Sequence, residues 1–96
     1  MEILFTHMSD ELQAGYIQCR SYTNGSLAVQ LMANDESYAI LSIPADIDLP
    51  KDEFVAKTDF GPSKGLLEQF LENGIFSDTG KTTNIEHTIY PIYQLN

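Results

Sequence analysis

Apolar residues fall in short runs along this chain, and one segment departs from the period of the rest. MEILFT puts Ile3 and Phe5 on one side of an extended segment and predicts a first strand. SDELQAG reads as a polar connection. GYIQCRSY (15–22) and LAVQLMA (27–33) then flank TNGS, which has the composition of a hairpin turn. Register selects the turn. A two-residue turn at Asn24-Gly25 would set Arg20 opposite Val29 and Gln18 opposite Leu31, mixing polar side chains into the apolar face. A three-residue loop, Thr23-Asn24-Gly25, with Gly25 left-handed in a bulge, pairs Cys19 with Val29 and Ile17 with Leu31 instead. The bulged hairpin is the expected form, with Cys19 turned inward as a small, inert hydrophobe.

After NDES, the nearly continuous apolar run YAILSI (38–43) predicts a central third strand and closes a meander. Pro44 and Pro50 bracket a loop, and EFVAKT (53–58) reads as a fourth strand. The period then shifts to that of a helix in GPSKGLLEQFLENGIF. Pro62 suits a first turn, and Asn73-Gly74 is a stop signal. At ~100° per residue, Leu66, Leu67, Phe70, Leu71 and Gly74 share an arc of about 140°, with Glu68, Gln69 and Glu72 opposite. SDTGKTTN reads as a loop and IEHTIYPIYQL as a last strand, where Pro91 demands an edge position or a bulge. These elements predict a single α+β domain over residues 1–96: an antiparallel sheet of about five strands with a central meander, covered on one face by one helix.

Charge adds the next constraint. Fourteen Asp and Glu stand against five Lys and Arg, a formal charge of −9. That is poor material for direct nucleic-acid binding or for an anionic membrane surface. It suits solubility and steers the chain toward basic protein partners. One cysteine allows no internal disulfide and no cysteine-based zinc site. With no apolar run of signal-peptide or membrane-span length, a cytoplasmic protein is the expectation.

The densest carboxylates are Asp46, Asp48, Asp52 and Glu53 in IPADIDLPKDEF. Counted as a calcium loop from Asp46, this stretch fails where Pro50, Lys51 and Lys57 stand in required positions. GKTT (80–83) has the tail of a phosphate-binding loop, but five residues separate Gly74 from Gly80 where four are needed, and a helix precedes it instead of a strand. His7 and His87 show no metal-ligand spacing. No cofactor motif is present, and no enzyme is expected. Tyr16, Arg20 and Tyr22 are predicted on the outer hairpin face, with Met32 opposite Tyr16 and Tyr38 extending the patch, a composition favoured at interfaces.

YTNGSLAVQLM, SYAILSI, LPKDEFVAKTDF, GLLEQFLENGIFSDTG and PIYQL occur in that order. Together they resemble a family of short acidic proteins of unknown function carried by phages, plasmids and other mobile elements of Firmicutes and gut bacteria. The resemblance runs from about residue 15 to the end and rests on turns, strands and a helix stop. It implies a mobile-element setting, where small acidic proteins bind host machinery. The expected function is a non-enzymatic inhibitor of a nucleic-acid-binding defence machine, of the anti-restriction or anti-CRISPR type. Asp46, Asp48, Asp52, Glu53, Glu68 and Glu72 would be the contact, with Tyr16, Arg20 and Tyr22 as a second surface. The alternative is a module that self-associates through its outer sheet face, its acidity serving solubility alone.

Overall fold

The computed structural model describes residues 2–6, 11–59 and 61–96, with Pro62 by its backbone alone. The described residues form, in chain order, β1 (Glu2–Thr6), β2 (Leu12–Ser21), β3 (Leu27–Ala33), β4 (Glu36–Ile40), β5 (Ser42–Ile43), β6 (Glu53–Ala56), α1 (Pro62–Glu72), β7 (Phe76–Ile85) and β8 (Thr88–Leu95). Both sheets are four-stranded and antiparallel, ordered β1-β2-β3-β4 and β5-β6-β8-β7. The expected single sheet of about five strands is therefore corrected to two sheets, within the α+β class. Three features caused the difference: the polar connection contains the start of β2, YAILSI is divided between sheets, and the loop SDTGKTTN is a strand.

The bulged hairpin forms as expected. Ile17 pairs with Leu31 and Cys19 with Val29. Gly25 is left-handed at φ 88°, and its N–H donates to Tyr22 O at 2.9 Å. Two further hairpins turn through residue pairs that are both left-handed, Asn34-Asp35 and Glu86-His87, the φ signature of a type I′ turn. The second of these divides IEHTIYPIYQL into a turn and a strand.

Between β4 and β5 the chain crosses from one sheet to the other. Leu41 N–H donates to Val29 O in the first sheet (2.9 Å), while Leu41 O accepts from Lys57 N–H beside the second (2.9 Å). Ser42 completes the crossing with its side chain. Its hydroxyl oxygen accepts the buried Val29 N–H at 2.8 Å and lies 2.9 Å from the Tyr22 hydroxyl. Ser42→Ala leaves the Val29 N–H buried without an acceptor, so unfolding free energy should fall by about 1–3 kcal/mol in urea denaturation. A loss below ~0.5 kcal/mol would mean that Val29 finds another acceptor.

The helix packs Leu66, Leu67 and Phe70 into a core shared by both sheets, meeting β1 and β4 of the first and β7 of the second. Its end has the expected stop. Gly74 N–H donates to Leu71 O (3.2 Å) and Ile75 N–H to Phe70 O (2.9 Å), the paired bonds of a Schellman motif. Gln69 departs from its predicted place on the solvent side. Its amide accepts Thr6 N–H at 2.9 Å and donates to Thr6 O at 3.0 Å. Thr6 therefore points its backbone groups away from β2, and Gln69 occupies that part of the open edge of β1.

β8 is an inner strand, so Pro91 uses the bulge and not an edge. The β7–β8 ladder steps from Asp78↔Tyr93 to Thr82↔Pro91, setting residues 79–81 opposite Ile92. Side chains fill the gap. Asp78 accepts Gly80 N–H (2.9 Å), and Thr79 accepts Lys81 N–H (3.1 Å) while donating to Ile92 O (2.7 Å). GKTT thus lies within a bulged edge strand. Polar residues suit that position, since a long regular edge invites pairing with other chains.

Candidate functional site

Alternation along β6 and β8 determines where the acidic loop lies. Phe54, Ala56 and Tyr93 face the main core, whereas Val55, Tyr90 and Ile92 face the other way. The segment 44–50 folds over that second face. Ala45 is buried there, with Ile43 and Leu49 packed beside it, and Ala45 N–H donates to Ser26 Oγ at 3.4 Å. The loop is therefore an apolar cover that carries its charges on the outside.

The carboxylates of this stretch divide into two kinds. Asp46 and Asp48 are exposed. Asp52 is half-buried and accepts from Gln94 Nε2 at 3.0 Å. Glu53 is ion-paired with Lys81. A cleft of about 360 Å³ separates the loop from the hairpin tip, with Asn24, Ser26, Asp48 and Glu53 among its walls. Glu68 and Glu72 are exposed on α1. The helix packs on the Phe76 side of the second sheet and the loop on the Val55 side, so the sheet stands between the two acidic groups. They do not form one patch.

Tyr16 and Arg20 are exposed on the outer face of the first sheet. Tyr22 is half-buried, its hydroxyl held by Ser42. Tyr38 does not extend this face. A register shift beyond Leu31 turns it inward, where its ring meets Phe5 edge-on at 5.1 Å between centroids. Cys19 is also corrected. It holds the predicted register, yet it is exposed; the main contacts of the second layer with this sheet run to β1, β3 and β4. The protein atoms around the thiol still push its pKa up, leaving it a poor nucleophile at neutral pH.

Two phenols are shifted upward. Burial raises Tyr90 first, followed by its hydrogen bond to Asp59 Oδ2 at 3.2 Å. Burial also leads for Tyr93, with the Asp78 and Glu68 charges adding to it. His87 is exposed in a turn, and His7 lies outside the described residues. Among the described residues, no three His, Cys, Asp or Glu side chains group as metal ligands, and no helix is long and apolar enough to cross a membrane.

The sequence reading missed three exposed residues: Leu4, Leu12 and Ile40. Leu4 and Leu12 have the parity of Tyr16 once β1 and β2 are paired in register. Ile40 was concealed in YAILSI, where a continuous apolar run reads as buried on both sides.

Comparison of the chain with protein-family models, with curated proteins and with solved structures finds no match in any of the three.

Proposed function

We propose that this chain is a non-catalytic binding protein whose partner carries a basic surface, of the kind that otherwise holds nucleic acid. The observation that carries this reading is the placement of the charge. Asp46, Asp48, Glu68 and Glu72 all stand in solvent within a chain of formal charge −9. Carboxylates on two sides create a broad negative field. Such a field accelerates encounter with a basic partner and loses effect as salt rises. The resemblance to short acidic mobile-element proteins supports the same reading, with a host defence complex as the class of target.

The test begins with tagged protein used to capture partners from host lysate at low and high salt. The captured partner is then purified and its association rate measured. Replacing Asp46, Asp48, Glu68 and Glu72 by their amides should slow association about tenfold or more at low salt and flatten its salt dependence. An unchanged rate would remove the electrostatic reading.

A further inference from the structure

We propose that the outer face of the first sheet is the docking surface, and that its occupant is a basic protein surface offering an apolar side chain next to a lysine or arginine. This rests on the binding reading above and specifies its contact. The face is unusual for a sheet packed on one side, which normally turns polar residues outward. Of the six large hydrophobic residues exposed among the described residues, Leu4, Leu12, Tyr16 and Ile40 lie on this face; only Ile47 and Ile89 lie elsewhere. Register groups Leu4, Leu12 and Tyr16 on β1 and β2 and sets Ile40 on β4, across Gln18 and Gln30 from them. Thr6 pairs with Leu12, Leu4 with Ala14, Glu2 with Tyr16, Tyr16 with Met32, and Gln30 with Ile40.

Two recesses give the face polarity. At one end, Glu2, Tyr16 and Asp35 border a hollow of about 340 Å³. Two carboxylates and an aromatic ring around one hollow fit a lysine or arginine side chain. At the other end, Arg20, Tyr22, Ala28 and Ile40 bound a dimple of about 90 Å³. Tyr22 is fixed there by its bonds to Ser42, so the wall is preorganised for a small apolar group. Gln18 and Gln30 lie between, joined by a 2.9 Å amide bond. Charge complementarity selects the occupant. A second copy would bring the same excess of Glu2 and Asp35 over one Arg20, on a protomer that is itself at −9.

Isotope-labelled protein would be titrated with two synthetic amphipathic peptides, one alternating leucine with lysine and one alternating leucine with glutamate, and the free protein sedimented. The lysine peptide should shift the amide signals of Leu4, Leu12, Tyr16 and Ile40, and the glutamate peptide should not. Glu2→Gln combined with Leu12→Ser and Ile40→Ser, all at exposed positions, should weaken binding at least tenfold. If the lysine peptide shifts only residues 46–48 and α1, the docking surface is wrong while the acidic-binding reading stands. If neither peptide binds, both fall. Equal binding of both peptides overturns the charge argument. A free dimer dispersed by Leu12→Ser with Ile40→Ser assigns the face to a second copy and overturns the proposal.

Discussion

Phe70→Ala should remove a large share of the stability of this domain. Phe70 is fully buried and links rings from both sheets. It meets Phe5 of β1 edge-on at 6.5 Å and Phe76 of β7 at 5.8 Å. Phe76 continues to Phe54 at 5.1 Å and Phe54 to Tyr93 at 6.3 Å. Truncation loses the burial of one ring, leaves a cavity that the surrounding strands cannot close, and cuts this chain of rings in the middle. The expected cost is about 3–5 kcal/mol, against a typical domain total of about 5–15 kcal/mol. Guanidinium unfolding should show the midpoint collapse, and Phe70→Leu should recover much of it. A loss near ~1 kcal/mol would mean that the sheets hold each other without the helix.

The second large effect comes from adding one methyl group. Gly15 lies in β2 opposite Ile3, on the buried side. A Cβ built there would stand 2.5 Å from Met32 O and 3.0 Å from a ring carbon of Phe5. The first is backbone of a paired strand and cannot swing away. Glycine is needed here because another backbone approaches closely. Gly15→Ala should cost about 1–3 kcal/mol through overpacking, and Gly15→Val should cost more. Gly65 supplies the contrast. It is exposed in α1, and a Cβ there meets nothing within 4 Å, so Gly65→Ala should gain about 0.5–1 kcal/mol. The same substitution should therefore raise the melting temperature at one glycine and lower it at the other. Equal signs would refute the contact at Gly15.

How much could be read from the sequence depended on how locally each feature is determined. The register of the β2–β3 hairpin follows from keeping Ile17, Val29 and Leu31 on one face, so turn and pairing were both legible. The stop at Asn73-Gly74 is equally local. β7 was hidden because its middle carries Ser77, Asp78, Thr79, Lys81, Thr82 and Thr83, and an edge strand with one solvated side needs little apolar patterning. The division of YAILSI was hidden for another reason. Ser42 looks like a polar interruption, and only the folded chain shows its hydroxyl serving Val29 where the sheets meet. Gln69 was read as solvent-facing because its bonds to Thr6 span 63 positions of sequence. Of the candidate contacts, the parity of Tyr16 and Arg20 was legible. The separation of Asp46 and Asp48 from Glu68 and Glu72 was not, since it depends on which face of the second sheet each segment covers.

The cover formed by residues 44–50 assigns two tasks to different side chains of one segment. Ala45 and Leu49 hold it against Val55, Tyr90 and Ile92, while Asp46 and Asp48 point into water. Mutation can therefore change the electrical character of this segment without loosening its attachment. Among descendants of this sequence, positions 45 and 49 should therefore stay apolar while the charges at 46 and 48 drift.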